Sequence, residues 1–332
     1  MTKTRIEVNI CLQSPGKRTG DALLRWSDDA RPLGIYPVPI ACIVGRSGPT
    51  ALLIAGVHGD EFEGPVALSQ LIDEIKPEQL EGRLIIVPAL NSPAVLASKR
   101  ASPLDGRNMN RAFPGDPDGG PTDMIADFLV SVLLREADLA IDLHAGGKAS
   151  VFATSALVTR SNNQDLMQAN LDLAAAFGAP LTWLLGGFND TRSLNSAALN
   201  AGVPMMAAEL GGGGGTDPIE VSHAVTGVKR CLARAGIIKQ TLPTAPPSIF
   251  VETRSIADNI YAPVCGLFDR QFKAGDQVEN GQLAGYIRSL DKLDDVPVPL
   301  HFSTKGYVLA HGNRGHVMRG DMLAMVVCET HM

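Results

Sequence analysis

The sequence predicts an α/β fold: a mixed, mainly parallel sheet with helices on both faces, followed by a small all-β, barrel-like domain. Two observations lead to this prediction. Short apolar runs alternate with stretches of helical period through most of the chain. The pattern changes after a proline-rich segment at 243–247, where short β-like runs are separated by glycine-rich turns. We therefore expect one domain at residues 1–245 and a second at 246–332.

Four short apolar runs predict the buried strands of the first domain. They are "ALLIAGV" (51–57), "RLIIVPAL" (83–90), "LAIDLHA" (139–145) and "VPMMAAEL" (203–210). Between them, apolar residues recur at helical spacing in "PVALSQLIDEIKP" (65–77), "PTDMIADFLVSVLLREA" (121–137) and "NQDLMQANLDLAAAFG" (163–178). Strands that alternate with helices in this way form a mainly parallel sheet, because each helix returns the chain to the same edge.

The second domain contains two segments that echo each other, one starting at Gly266 and one at Gly306. They resemble the lipoyl and biotinyl carrier fold, and Asp291-Lys292 falls where the hairpin with the modified lysine would lie. Leu293 and the two aspartates after it match neither carrier signature well. Because a barrel of this shape needs no attached group to fold, we predict the barrel without the modification.

Composition excludes several classes of protein. Apolar residues make up 45% and aromatic residues 5% of the 332 residues, and the net charge is −6. Such a charge provides no basic field, so we expect neither nucleic acid nor a membrane as a partner. The N-terminal segment lacks the apolar core of a signal peptide, which predicts a cytoplasmic protein. The five cysteines are far apart and odd in number, which disfavours a disulfide framework or a cysteine zinc site.

Three of the four predicted strands end in residues that bind metals or carry protons. His58 and Glu61 follow the first strand, and His144 ends the third. Glu209 ends the fourth strand, whereas the second ends in Asn91. Ligands of open α/β sheets gather beyond the carboxyl ends of the strands. The shared placement of these residues therefore predicts one common site.

Two histidines and one carboxylate form a catalytic zinc site that leaves one coordination position for water. Zinc lowers the pKa of that water towards about 7 and polarises a carbonyl oxygen, as amide hydrolysis requires. His58, Glu61 and His144 supply this set, which leaves Glu209 to act as general base and general acid. Asp142 lies two residues before His144 on the same strand face, where it suits either a partner of the ligand imidazole or a turn role.

The loop "KRASPLDGRNMNRAFPGD" (99–116) concentrates four candidate substrate-binding residues, Arg100, Arg107, Asn110 and Arg111. The loop has no helical period, and adjacent asparagine and arginine side chains can hold a carboxylate through directed donors. Substrate binding and a solvated surface loop both remain open. The frequency with which loops carry sites favours substrate binding.

Four motifs in this order resemble a known family: "GVHGDEFEG" (56–64), "NMNRAFPG" (108–115), "DLHAGG" (142–147) and "AAELGGGG" (207–214). The family is that of the succinylglutamate desuccinylases and aspartoacylases, zinc-dependent deacylases related to the zinc carboxypeptidases. The tract "SPLDGRNMNRAFPGDPDGGPT" (102–122) is most similar to the subgroup that contains N-acetyl-diaminobutyrate deacetylase. The resemblance extends over essentially the whole chain, because the family also carries a C-terminal β-domain over the active site.

The resemblance implies one zinc ion (Zn2+) per chain, bound by His58, Glu61 and His144, with Glu209 as the catalytic acid/base. A tyrosine of the C-terminal domain reaches the substrate in aspartoacylase. Its counterpart here is left open among Tyr261, Tyr286 and Tyr307.

The resemblance also distributes roles over the arginines. Asn110 and Arg111 are expected to bind the substrate carboxylate, with Arg107 beside them. An arginine upstream of this pair polarises the scissile carbonyl in the family, and Arg100 is our choice, with Arg107 as the alternative. Arg192 is a weaker match to a family arginine that precedes the catalytic glutamate.

We therefore predict a zinc-dependent hydrolase that removes a small acyl group, for example acetyl or succinyl, from an N-acyl amino acid. Its partner would be this small-molecule substrate, and a homo-oligomer is compatible with the sequence. The alternatives are a zinc carboxypeptidase acting on short peptides and a non-catalytic metal-binding or carrier-like protein. The five-glycine run at 211–215 lacks the Lys-Ser/Thr of a phosphate loop, so it predicts a loop that approaches the site closely.

Overall fold

The computed structural model describes residues 4–187 and 189–331. Within residues 4–245, its helices are α1 (Glu63–Glu74), α2 (Ser92–Leu96), α3 (Pro121–Phe128), α4 (Gln164–Phe177), α5 (Leu194–Ala201) and α6 (Pro218–Arg234). The strands of the same region are β1 (Glu7–Val8), β2 (Gly16–Arg25), β3 (Ile35–Val44), β4 (Arg46–Ala55), β5 (Glu81–Val87), β6 (Leu139–His144), β7 (Ser150–Phe152), β8 (Ser155–Thr159), β9 (Leu181–Leu185) and β10 (Met205–Glu209).

The C-terminal region is built almost entirely of strands. They are β11 (Ile249–Glu252), β12 (Ile260–Tyr261), β13 (Gly266–Arg270), β14 (Gln277–Val278), β15 (Leu283–Arg288), β16 (Val298–His301), β17 (Gly306–Gly312), β18 (His316–Val317) and β19 (Met322–Glu329). All four predicted strands of the first domain are present, and two of the three predicted helices match α1 and α4, with ends shifted by a few residues. The third begins at Pro121 as predicted, but α3 ends at Phe128 and a π turn and a 3₁₀ turn continue it to Glu136.

One large mixed sheet runs through most of the molecule, in the order β1-β2-β3-β5-β4-β6-β10-β8-β9-β11-β19-β17-β14. Its centre is parallel: β4 pairs with β5 and β6, and β6 pairs with β10. The N-terminal strands β1, β2 and β3 extend this centre in antiparallel fashion. The predicted mixed, mainly parallel sheet is therefore confirmed.

Helices cover both faces of the sheet, as the alternation along β4 requires. Ala51, Leu53 and Ala55 belong to one core cluster, together with apolar residues of α1, α4 and α6. Leu52 and Ile54 point the other way, into a second cluster with residues of α3 and α5. Both faces of a central strand are thus apolar, which is why the sequence of such a strand is a continuous apolar run.

The C-terminal strands form two interlocked repeats, β12–β15 and β16–β19. The short third strand of each repeat pairs with the second strand of the other: β14 with β17, and β18 with β13. The end of each repeat also pairs with the start of the other, β15 with β16 and β19 with β12. The two echoing segments are therefore structurally equivalent, and they enclose a common apolar core around Val278, Phe302 and Val326.

The predicted boundary at 245/246 stays a prediction. The strand that follows it, β11, pairs with β9 on one side and with β19 on the other, so the large sheet continues across this point. Among the described residues, no helix has the length and apolar character needed to cross a membrane. The cytoplasmic location also stays a prediction.

Candidate active site

The register of the central strands assembles the candidate site. Strand β6 lies between β4 and β10, and its last residue, His144, pairs with Glu209, the last residue of β10. Paired residues of neighbouring strands point to the same face, here the face covered by α3 and α5. On the other side of β6, Leu143 pairs with Ala55, three residues before His58. The sheet alone therefore gathers both histidines and Glu209 at one edge.

Two glycines allow the segment between β4 and α1 to fold tightly against its neighbours. A Cβ atom on Gly59 would lie 2.0 Å from the main-chain carbon of Ala94, and one on Gly64 would lie 2.8 Å from the carbonyl oxygen of Leu143. Real Cβ atoms do not approach so closely, so only glycine permits this packing. The result is that Glu61, which lies between the two glycines, is buried beside both histidines.

Glu61 bridges the two imidazoles. Its Oε1 lies 2.7 Å from Nδ1 of His58, and its Oε2 lies 2.9 Å from Nδ1 of His144. The candidate ligand atoms of the three residues all lie within 4.8 Å of one another, and all three side chains are buried. Burial alone would raise the pKa of Glu61, but the two histidines outweigh it and hold that pKa well below its usual range.

Hydrogen bonds on the far side of His58 fix its tautomer. Its Nε2 lies 3.1 Å from Oδ1 of Asn108, and the same oxygen accepts a hydrogen bond of 2.9 Å from the main-chain N–H of Asn110. Because this oxygen is an acceptor, Nε2 must carry the proton. Burial lowers the pKa of His58, although the Glu61 carboxylate opposes this effect. A neutral ring with its proton on Nε2 has a lone pair on Nδ1, the nitrogen that faces Glu61.

A neutral Nδ1 and a carboxylate oxygen 2.7 Å apart repel each other unless a proton or a metal ion lies between them. The residues therefore fit a metal ion, and a His₂Glu set with an open position is a ligand set of catalytic zinc. His144 also has an oxygen on its far side, because its Nε2 lies 2.8 Å from Oδ2 of Asp142. Burial disfavours a charged His144, but Asp142 and Glu61 overcome it and raise the pKa of the imidazole. Of the two roles open to Asp142, the partner of an imidazole is the one observed.

Glu209 stands apart from the bridged group. The described residues make no hydrogen bond to its carboxyl group, and its Oε2 is buried without a partner. Burial raises the pKa of Glu209 to about 8. A carboxyl group with a pKa near neutrality can both accept and donate a proton at the pH of the cell.

The loop at 99–116 brings three of its four candidates to the site. Arg100 Nη1 lies 3.2 Å from Glu61 Oε1, and its side chain is half exposed. Asn110 and Arg111 also line the cavity. Arg107 instead pairs with Asp123 and is not among the residues that line the cavity.

The cavity over these residues has a volume of about 330 Å³. Its polar wall includes His58, Glu61, Arg100, Asn110, Arg111, His144 and Glu209. Its apolar wall includes Phe152, Leu157, Trp183 and Leu185. The dimensions suit a ligand of metabolite size.

Other candidates lie away from this cavity. The hydroxyl of Tyr307 donates to Glu329, Tyr261 is exposed, and the guanidinium of Arg288 lies over the ring of Tyr286. These positions do not test which tyrosine, if any, reaches the substrate. The glycine run at 211–215 closely approaches Ser150, which lines the cavity, as predicted. A Cβ atom on Gly212 would lie 2.4 Å from the carbonyl oxygen of Ser150.

Two polar residues of the site, Asn108 and Asp190, were given no role on the basis of the sequence, although Asn108 opens the motif at 108–115. Asn108 orients His58, and a further sequence signal is its position two residues before Asn110, where asparagine commonly caps a turn. Asp190 lines the cavity and pairs with both Arg111 and Arg192. Its signal is the Asp-x-Arg spacing, which is too common to be informative alone.

Comparisons with known proteins identify relatives of this chain. The model of the succinylglutamate desuccinylase/aspartoacylase catalytic domain matches residues 47–235. The chain belongs to this family. The N-alpha-acetyl-L-2,4-diaminobutyric acid deacetylase of Halomonas elongata is 31% identical over 322 residues, which cover 97% of this chain and 94% of that protein.

Solved structures of the family have the same fold over the whole chain. The product-bound ectoine utilization protein EutE (DoeB) of Ruegeria pomeroyi superposes with a TM-score of 0.94 at 34% identity, covering 99% of this chain and all of that one. The succinylglutamate desuccinylase/aspartoacylase of Rhodobacter sphaeroides gives a TM-score of 0.92 at 33% identity over 98% of this chain and all of that one. The predicted family and fold are therefore confirmed.

Proposed function

We propose that this family member is a zinc-dependent deacylase that cleaves the amide bond of a small N-acyl amino acid. The observation that carries the proposal is the buried cluster in which the Glu61 carboxylate lies 2.7 Å from Nδ1 of His58 and 2.9 Å from Nδ1 of His144. Asn108 and Asp142 provide an oxygen on the far side of each imidazole. His58, Glu61 and His144 would hold one zinc ion per chain. When bound, zinc supplies Lewis-acid activation of water and of the scissile carbonyl group.

The remaining steps belong to side chains of this chain. Glu209 takes a proton from the attacking water and later delivers it to the departing amine, since its raised pKa suits both tasks. Arg100 donates to the oxygen of the scissile carbonyl as negative charge develops there. Asn110 and Arg111 hold the carboxylate of the amino acid, and Phe152 and Trp183 exclude water from one side of the cavity.

The position of Arg107 bears on its predicted role. Its guanidinium forms an ion pair with Asp123, and Arg107 is not among the residues that line the cavity. We therefore assign the carbonyl to Arg100 and propose that Arg107 supports substrate binding only by stabilising the loop that carries Arg111.

Two features support an N-acyl amino acid as the substrate class. The cavity of about 330 Å³ suits a metabolite better than a polypeptide. The Halomonas relative, at 31% identity, is named as an N-alpha-acetyl-L-2,4-diaminobutyric acid deacetylase. A carboxypeptidase acting on short peptides would use the same carboxylate contacts and is the competing candidate.

A hydrolysis screen with the zinc-loaded protein tests the proposal. N-acetyl, N-succinyl and N-formyl amino acids are compared with dipeptides and tripeptides at equal concentration, with release of free amine as the readout. We expect one N-acyl amino acid to exceed every peptide. Preference for peptides would establish the carboxypeptidase instead.

The zinc content of ligand variants tests the metal site independently of activity. His144→Ala removes one of three ligands and should lose most of the zinc, about one ion per chain in the wild type. His223→Ala is the matched control, because His223 is half exposed and does not line the cavity. Full zinc occupancy in both His144→Ala and His58→Ala would refute the assignment.

A further inference from the structure

Asp190 connects two arginines at the wall of the catalytic cavity. Arg192 holds it with two side-chain contacts, Nε to Oδ1 at 3.0 Å and Nη2 to Oδ2 at 2.9 Å. Arg111 Nε lies 2.9 Å from Oδ2 of the same carboxylate. Hydrogen bonds from Arg192, together with the charge of Arg111, hold the pKa of Asp190 far below its usual range, so the carboxylate stays ionised. The three groups together carry one positive charge.

The contacts of Arg111 limit how it can meet a ligand. Its Nη1 donates to the carbonyl oxygen of Asn110 at 2.6 Å, and its Nε faces Asp190. Among the described residues, nothing accepts a hydrogen bond from Nη2. One hydrogen bond and one ion pair therefore hold the guanidinium, and Nη2 remains for a ligand in the cavity. An arginine on a loop would otherwise lose side-chain entropy when it binds.

The main chain joins the two loops without help from these side chains. The carbonyl oxygen of Arg192 accepts a hydrogen bond of 3.1 Å from the main-chain N–H of Phe113, two residues after Arg111. Asn110 Oδ1 also accepts from the main-chain N–H of Leu194 at 3.1 Å. Within its own loop, Asp190 Oδ1 also accepts a hydrogen bond of 2.9 Å from the main-chain N–H of Arg192, which Asp190→Ala would remove. Substitution of either side chain nevertheless leaves both contacts between the loops possible.

We propose that Asp190 is a positioning residue that aims Arg111 at the substrate carboxylate, and that Arg192 acts through Asp190 by neutralising its charge. This inference rests on the proposed function, in which Arg111 binds that carboxylate. Without Arg192, the full charge of Asp190 would attract Arg111 and compete with the substrate. Without Asp190, Arg111 would have to be ordered anew in each binding event.

The test compares two substrates in four proteins. The substrates are an N-acetyl amino acid that the enzyme hydrolyses and the same compound with its α-carboxylate converted to a carboxamide. The proteins are the wild type, Asp190→Ala, Arg192→Ala and the double variant. The readout is the ratio of kcat/KM for the carboxylate substrate to kcat/KM for the carboxamide, because a merely structural loss lowers both values equally and leaves this ratio unchanged.

We expect the ratio to fall about two- to tenfold in each single variant, which is the cost of ordering one long side chain. The fall should come mainly from KM of the carboxylate substrate, with kcat much less affected. The double variant should be no worse than Asp190→Ala alone, since Arg192 acts only through Asp190. Asp190→Asn, which keeps the side-chain shape, should change the ratio in the same direction and serves if the alanine variant does not fold.

Two results would overturn the inference. One is an unchanged ratio in Asp190→Ala, Asp190→Asn and Arg192→Ala. The other is a double variant whose loss is the product of the two single losses, since Arg192 would then act independently of Asp190. Arg111→Ala distinguishes failure of this inference from failure of the proposed function. A wild-type ratio in Arg111→Ala would show that Arg111 does not bind the substrate carboxylate and would refute that part of the proposed function. A lowered ratio would show that Arg111 does bind it.

Discussion

Replacement of Glu209 by glutamine tests the proposed proton carrier most directly. The described residues make no hydrogen bond to this carboxyl group, so the amide of Glu209→Gln displaces no protein partner and should fit the same space. It cannot accept and return a proton, however. A general acid/base contributes a factor of about 10² to 10⁴, or about 3–5 kcal/mol of transition-state stabilisation. We therefore expect kcat to fall by that factor and KM to change little.

A matched control distinguishes chemistry from the effect of altering a buried carboxyl group. Glu63 is also buried, its Oε1 also lacks a partner, and burial also raises its pKa, but it does not line the cavity. Glu63→Gln should therefore retain near wild-type kcat. Zinc content and unfolding temperature are measured for both variants. Loss of zinc in Glu209→Gln would make this residue a metal ligand, and near-normal turnover with zinc retained would refute its role as proton carrier.

Three further predictions concern neighbouring groups. Asn108→Ala leaves the Nε2–H of His58 without its acceptor and should weaken zinc affinity about 10- to 100-fold, measured by competition with a chelator; unchanged affinity would show that another group orients the ring. Arg111→Lys keeps the charge, but a lysine ammonium cannot contact Asn110 and Asp190 and still present a separate, fixed donor to the substrate, so KM should rise about tenfold or more with kcat nearly constant. An unchanged KM would return this loop to the solvated-surface interpretation. In the metal-free protein, burial raises the pKa of Glu209 from an ordinary 4.5 to about 8, so the folded state favours the protonated carboxyl group. The contribution of Glu209 to the free energy of unfolding is therefore greatest at low pH and is lost progressively as the pH rises between these two values. Urea unfolding at pH 5.5 and 8.5 should therefore show a smaller loss for Glu209→Gln than for the wild type, and equal losses would contradict the shift.

The predictable part of the site lies at the ends of parallel strands. His144 and Glu209 directly follow apolar runs, and a parallel sheet must bring such positions to one edge. Asn108 and Asp190 were not predictable in this way, because each acts through a loop whose path depends on distant contacts. Asn108 meets His58 across 50 positions of sequence, and no local periodicity encodes such a contact.

Parts of the fold were likewise predictable from local sequence, and other parts were not. Strand β4 is evident from its sequence, whereas β3 is obscured by Pro37 and Pro39, residues that usually argue against a strand. Both prolines lie in the half of β3 that pairs only with β2, because β5 joins from Ala41 onwards. Their missing N–H groups therefore cost no hydrogen bond to β5. The predicted helix at 121–137 likewise changes at Phe128, where α3 gives way to a π turn (Leu129–Leu133) and a 3₁₀ turn (Leu134–Glu136).

The C-terminal strands support a wall of the catalytic cavity. The segment that follows His144 forms β7, and Phe152 of this strand pairs with Ala310 of β17. Hydrogen bonds from Ala153 to Leu309 and from Asn313 to Ala149, at 2.8 and 2.9 Å, extend the attachment. Phe152 is an apolar wall of the cavity, so its position depends on strands that lie beyond the predicted boundary at 245/246. The boundary therefore separates two patterns of sequence. The residues that line the cavity lie before it, and strands beyond it support one wall.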